Sequence, residues 1–173
     1  MLSEFFNIVS ELKKTPRRGW KEKVGISQPE SVADHSYGVA VMAMIFSDLA
    51  AMDTVKILKM ALLHDLAESI TGDYMPGEIS KENKQMVENQ AMSEILGKLP
   101  PKLAKTYQAI WDEYSKCHSE ESVLLHEVDK LEMAVQAAKY FGEGMPREKL
   151  EEFIISSRKE IKRTDLKSVL DTI

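Results

Sequence analysis

The sequence predicts an all-α, single-domain helical bundle, and three observations carry that prediction. Apolar residues recur at three- and four-residue intervals over nearly the whole chain. Capping residues and prolines divide this pattern into segments of helical length. No alternation of apolar and polar residues runs beyond a few positions, so no half-buried strand is expected. With 173 residues, the chain suits one domain over 1–173 built on one sizeable core.

The elements follow in order. Residues 3–14 place Phe6, Val9 and Leu12 at helical spacing, and Thr15-Pro16 stops that helix. Residues 16–30 (PRRGWKEKVGISQPE) hold two prolines and two glycines and read as a long ordered loop. Ser31, with Asp34 three residues later, resembles a capping box and opens a helix to about Met52. Asp53 caps a helix over about 54–69, ended by Thr71-Gly72-Asp73, and 71–79 is a loop. Ser80 begins a charged helix to about Leu99, and Pro100-Pro101 breaks it and starts another to about Lys116. Ser119, followed by two glutamates, caps a long helix to about Phe141 with an apolar stripe of Val128, Leu131, Val135 and Ala138. A turn at 142–146 precedes shorter C-terminal helices over 147–171.

Composition narrows the function. Hydrophobic residues make up 43% and charged residues 29%, as in ordinary globular domains. A net charge of −5 argues against a nucleic-acid polymer as partner, although a local basic patch can hold one phosphate. Cys117 is the single cysteine, which excludes an internal disulfide or a thiolate cluster and fits a reducing compartment. The opening MLSEFFNIVSELKK does not read as a signal peptide, and no apolar run approaches the roughly 20 residues of a membrane span. A cytoplasmic protein without a membrane partner is expected.

The chemistry-bearing residues stand out against apolar surroundings. His64-Asp65 lies inside KMALLHDLAES, His35 inside ESVADHSYGVAVMAM, and Asp129 inside LLHEVDKLEMAVQ. Burying an unpaired carboxylate costs several kcal/mol. A divalent cation would remove that cost at three places at once. Two imidazoles and two carboxylates make a mixed N/O site with open coordination positions. At about 100° per helical residue, Glu68 lies about 40° from His64 and Asp65 about 100°, so the three share an arc with Leu58, Ala61 and Leu62 beside it. Each residue also has a plainer reading. His35 alone would be a satisfied core histidine, and Asp129 a partner of Lys130 or Lys139. His126 would be a satisfied histidine or a group behind the ligands, and His118 a surface residue. Glu68 would be a solvated helix end and Asp73 a turn residue. Arg17 and Arg18 beside Trp20 suit a phosphate and a base or sugar face, or else a basic surface cluster with a core tryptophan.

These residues resemble a known family. His35, His64-Asp65 and Asp129 match the H…HD…D signature of the HD-domain phosphohydrolases. The strings RRGW, PESVADHS, ALLHDLAESITGD and HEVDKLEM resemble the 5′-deoxynucleotidase branch, from about residue 5 to about residue 141. The resemblance implies an HD-type helical fold, a homodimer, and hydrolysis of deoxyribonucleoside 5′-monophosphates to nucleoside and phosphate. It implies His35, His64, Asp65 and Asp129 as metal ligands and Glu68 and Asp73 as catalytic carboxylates. In some relatives these carboxylates, with the backbone carbonyl of the next residue, here Tyr74, are assigned to a second metal. The phosphate-orienting arginine falls on Arg17 in the R-x-G-W form, while bacterial members place arginine directly before the tryptophan, where this chain has Gly19 preceded by Arg18.

The mechanism expected on this reading is metal-assisted phosphomonoester hydrolysis. Arg17 or Arg18 orients the phosphate. Glu68 handles the water and Asp73 the leaving 5′-oxygen, two roles open to exchange. The ligand set does not distinguish Co, Mn, Zn, Fe, Ni and Mg ions. Two alternatives remain open: a nucleoside di- or triphosphate hydrolase on the same fold, and a non-catalytic signalling or scaffold module.

Overall fold

A computed structural model describes residues 2–173. Nine α-helices are present among them: α1 (Leu2–Glu11), α2 (Val32–Leu49), α3 (Thr54–Leu63), α4 (Glu68–Thr71), α5 (Lys81–Leu96), α6 (Pro101–Lys116), α7 (Glu120–Gly142), α8 (Arg147–Glu160) and α9 (Thr164–Leu170). A 3-10 turn, Leu12–Lys14, extends α1, and a π-helical turn covers Trp20–Val24. The described residues contain isolated bridges but no strand.

Capping explains most boundaries. Ser31 accepts the Asp34 N–H while the Asp34 carboxylate accepts the Ser31 N–H, a complete capping box for α2. Asp53, Ser80 and Ser119 cap α3, α5 and α7 by accepting N–H groups three residues on. Proline opens α6 at its first residue. Left-handed Cys117 ends α6.

Three expectations need correction. The first helix does not bury Phe6, which is 60% exposed; Phe5, Ile8, Val9 and Leu12 face the core instead. Val9 and Leu12 stand as expected, and only Phe6 gives way to its equally apolar neighbour Phe5. The segment 16–30 is not all loop. Its π-helical turn ends at Gly25, whose φ of +89° disfavours a side chain, and both Gly25 and Ile26 donate to the Trp20 carbonyl. Third, the helix over 54–69 is interrupted. α3 stops at Leu63, and residues 64–67 form a tight turn in which Leu66 bonds to Leu63 and Glu68 to Asp65. The His64 Nδ1–H donates to the Ala61 carbonyl at 2.7 Å. An uninterrupted α-helix would offer that carbonyl to the Asp65 N–H, so the side chain competes with the helix.

Two apolar clusters hold the bundle. The larger joins α2, α3, α5, α6 and α7 through Val39, Ala43, Ile57, Met60, Met92, Ile95, Trp111, Leu125 and Val128. The smaller packs Trp20, Val24 and Ile26 against Ala137, Tyr140 and Leu150 of α7 and α8. On α7 the stripe keeps Val128 and Leu131 but buries Ala134 and Ala137 in place of Val135 and Ala138, which are only half-buried. A 23-residue helix that serves two clusters must turn its apolar face along its length.

Candidate metal centre and catalytic cavity

Four of the sequence-predicted residues converge between α2, the end of α3 and α7. His64 donates Nδ1–H to a carbonyl, which can only accept, so the neutral ring has its lone pair on Nε2. That Nε2 stands 3.2 Å from Asp65 Oδ2. His35 is fully buried, and its Nδ1 lies 2.5 Å from Glu132 Oε2. A carboxylate there draws the proton to Nδ1 and leaves the second lone pair on Nε2, which sits 3.0 Å from Asp129 Oδ1 and 3.6 Å from Asp65 Oδ2.

This arrangement places acceptor against acceptor. As bare lone pairs, the buried Nε2 atoms of His35 and His64 find no donor to accept from. Such facing lone pairs are unfavourable unless a proton or a cation lies between them. In the protein alone a proton answers the conflict at His35: burial and Arg17 pull its pKa down, but hydrogen bonds with Asp129 and Glu132 outweigh them and carry it up to about 9. A metal ion answers it at every contact. Oxygen and nitrogen ligands at about 2.0–2.2 Å in a tetrahedral set stand about 3.3 Å apart, and the observed separations of 3.0–3.6 Å bracket that value. His35, His64 and Asp129 offer ligand atoms that all lie within 4.8 Å of one another, and Asp65 stands beside the two imidazoles, so the residues fit a divalent cation. Both aspartates favour the charged form. Burial opposes ionisation of Asp65, but His64, His35 and Arg17 lower its pKa. At Asp129 burial is again outweighed, by Lys130 and His35. The pairing with Lys130 foreseen for Asp129 is present at 2.9 Å, beside its contact with His35.

His64, Asp65 and Asp129 form one wall of a cavity of about 860 Å³, with His35 buried behind them. Glu68 and Asp73 line it, as do Arg17 and Tyr74. Glu68 is 4% exposed rather than solvated, with Oε2 lacking a partner and Oε1 3.9 Å from Lys84 Nζ. The tight turn at 64–67 accounts for its position, since residues three apart eclipse in 3-10 geometry and bring Glu68 over Asp65. Burial, then Asp65 and Asp73, push its pKa well above the usual carboxylate range. The arc drawn for a continuous α-helix is corrected accordingly, and Leu62, placed beside it, points to solvent.

The two arginines part company. The Arg17 Nη1 reaches Asp65 Oδ2 at 4.0 Å, and its guanidinium faces four carboxylates that hold it charged against the opposing effect of burial. Arg18 turns to the surface, bonds Glu78 through both terminal nitrogens and Glu22 through Nε, and donates to the Asp73 carbonyl. Its N–H also donates to Asp73 Oδ2 at 2.8 Å. Arg18 thus ties the 16–30 segment to the 73–78 turn. Trp20 is 1% exposed and donates Nε1–H to Glu30. It packs on Phe153 and against the edge of Tyr140 while bordering the cavity, which favours its core role over a stacking surface.

Sequence reasoning missed several residues around the site. Glu132 braces His35. Tyr114 lines the cavity, stacks on His126 at 4.4 Å and meets the His64 ring edge-on at 6.0 Å. His126 Nε2–H donates to the Tyr114 carbonyl, so it serves this aromatic wall and not the metal cluster. Lys84 and Glu88 pair at 3.4 Å on the α5 side. Cys117 is exposed and also reaches the cavity wall. His118 is exposed, as expected. One signal was available for Glu132: Gly38 interrupts an apolar helix one turn after His35, and such a glycine marks close approach.

The HD-domain family model matches residues 9–169. The 5′-deoxynucleotidase HDDC2 of Danio rerio is 38% identical over 172 residues, covering 98% of this chain and 84% of that protein. The Dictyostelium discoideum protein of the same name is 40% identical over 168 residues, covering 90% and 87%. A crystal structure from Pyrococcus horikoshii superimposes with a TM-score of 0.82 at 31% identity, covering 99% and 97% of the two chains.

Proposed function

The chain belongs to the HD-domain family, and from that premise we propose that it hydrolyses deoxyribonucleoside 5′-monophosphates to deoxyribonucleoside and phosphate. The observation that supports this reading best is the set of facing lone pairs on His35, His64, Asp65 and Asp129, bordering a cavity with a single inward arginine. These four residues would hold a divalent ion, which would supply Lewis-acid polarisation of a phosphate oxygen and lower the pKa of water beside it. Arg17 orients the phosphate and offsets its charge. The Asp73 carboxylate accepts a proton from the attacking water. As the water oxygen bonds to phosphorus and the bond to the 5′-oxygen breaks, Glu68, whose buried carboxyl holds its proton more tightly than a free one, delivers that proton to the 5′-oxygen and regains one through solvent as Asp73 gives up its own. Neither role needs a phosphoenzyme.

The test is phosphate release from 5′- and 3′-mononucleotides with each candidate divalent ion, beside metal analysis of variants. His35→Ala, His64→Ala, Asp65→Ala and Asp129→Ala should lose both metal and turnover, while Glu68→Gln and Asp73→Asn should keep metal and lose turnover by about 10²–10⁴. Full metal retention by Asp129→Ala would sink the ligand set.

One observation favours a second reading, a di- or triphosphate hydrolase: Lys23, Lys81, Lys84 and Lys130 also line the cavity. Three of them are already matched by Glu152, by Glu68 and Glu88, and by Asp129. A deoxynucleoside triphosphate in the same assay decides between them. We further propose a cytoplasmic homodimer; no helix of the described residues is long and apolar enough to cross a membrane. Tyr37, Met44 and Ile45 form an exposed apolar stripe on α2 suited to a second copy. Sedimentation equilibrium should return twice the 19.6 kDa chain mass, and a monomer at micromolar concentration would refute the dimer.

A further inference from the structure

We propose that Glu132 is a positioning residue of the metal centre: it grips Nδ1 of His35 so that Nε2 presents its lone pair to the ion. The inference rests on the metal-centre reading above. Glu132 and Asp129 stand three residues apart on α7, and both hold the same imidazole, Glu132 at Nδ1 (2.5 Å) and Asp129 at Nε2 (3.0 Å). One helix face therefore fixes the ring at both ends. The helix that carries the ring is itself shaped to admit the brace. Gly38 lies on α2 one turn beyond His35, and a Cβ there would meet Glu132 Oε1 at 2.9 Å and Cγ at 3.0 Å. The bare helix surface is what lets the carboxylate reach the ring.

A competing view makes Glu30, His35 and Glu132 a second cation site, since their ligand atoms lie within 4.8 Å of one another. The geometry speaks against it. Two ligands of one tetrahedral ion stand about 3.3 Å apart, whereas Nδ1 and Oε2 are at 2.5 Å, a hydrogen-bond distance. Glu30 is engaged elsewhere, accepting from Trp20 Nε1 at 2.8 Å while its N–H donates to the Tyr140 hydroxyl. Glu132 acts through His35 and touches no reacting atom, so its loss should be read in metal affinity and not in substrate affinity.

The experiment measures Co²⁺ dissociation constants by chelator competition for the whole protein, followed by the visible absorption of bound cobalt. Glu132→Gln should weaken Co²⁺ binding about 10–100-fold, with KM at saturating Co²⁺ unchanged. Gly38→Ala keeps the Glu132 chemistry but displaces it, and alanine is the better helix former; it should weaken Co²⁺ binding in the same direction with helical content intact. Should Glu132→Gln fail to fold, Gly38→Ala decides alone. Wild-type Co²⁺ affinity in the folded variants, whatever their melting temperature, overturns the proposal and leaves Glu132 a packing residue. His35→Ala separates the two levels. If the wild type and His35→Ala bind Co²⁺ alike, the metal-centre reading itself falls. If only His35→Ala loses the ion, Glu132 alone has been misassigned.

Discussion

Arg17 and Arg18 are adjacent, carry the same group and differ entirely in what surrounds them. Arg17 faces the carboxylates of the cavity, while Arg18 is spent on Glu78, Glu22 and the Asp73 backbone. Removing a cation that meets the phosphate in the transition state lowers kcat, and removing a surface tie does not. Arg17→Ala should lower kcat by about 10²–10³ at little cost in melting temperature. Arg18→Ala should lower kcat far less. Steady-state kinetics on a deoxynucleoside 5′-monophosphate reads the contrast, and a larger kcat loss at Arg18 would reverse the assignment. At this scale the sequence was legible wherever a polar residue interrupted an apolar run, as at His35, His64 and Asp129. It was opaque at Glu132, because a glutamate on a helix ordinarily faces water. Trp20 was ambiguous for the opposite reason: an indole beside arginines suits a core as well as a ligand, and here Tyr140 and Phe153 claim it.

The elements carry these residues into register by local hydrogen bonding. The Ser31–Asp34 box fixes the start of α2, and the His35 N–H donates to the Ser31 carbonyl one turn later. Ser31→Ala removes one of the two reciprocal bonds and should cost about 0.5–2 kcal/mol, or a few degrees in melting temperature. Metal content should be unaffected, because the brace on His35 comes from α7. An unchanged melting curve would show the cap to be dispensable. Caps and proline breaks were readable in the chain, since Ser, Asp and Pro act through their own local chemistry. The break after Leu63 was not. It arises from the His64 side chain taking the Ala61 carbonyl, a choice that periodicity does not encode. The choice between Phe5 and Phe6 on α1 was equally hidden, because tertiary contacts alone separate them.

For the molecule as a whole, the ion would join three distant parts of the chain. His35, His64-Asp65 and Asp129 belong to α2, the end of α3 and α7, so a cation that binds only the folded form adds its binding free energy to stability. At one hundred times the dissociation constant this amounts to about 2.7 kcal/mol. For a chain of this size that is about 5–10 °C in melting temperature. Adding Co²⁺ to chelator-treated protein should raise the thermal midpoint by that amount, and His64→Ala should show no rise. An equal rise in both would place the stabilising ion elsewhere. The all-α architecture was legible from periodicity. The cavity was not, because its walls come from seven separate segments that only packing brings together.

Cys117 closes α6 with its backbone in the left-handed region and its side chain on the cavity wall, and the sequence contains no other thiol. The wild-type protein thus carries one chemically addressable sulfur beside the substrate space. A maleimide-linked fluorophore would attach at that point alone and report occupancy of the cavity without any engineered cysteine. Partial burial, aided by Glu127, raises the thiol pKa despite Lys81. The thiolate is therefore scarce near neutrality, and labelling would proceed faster on the alkaline side.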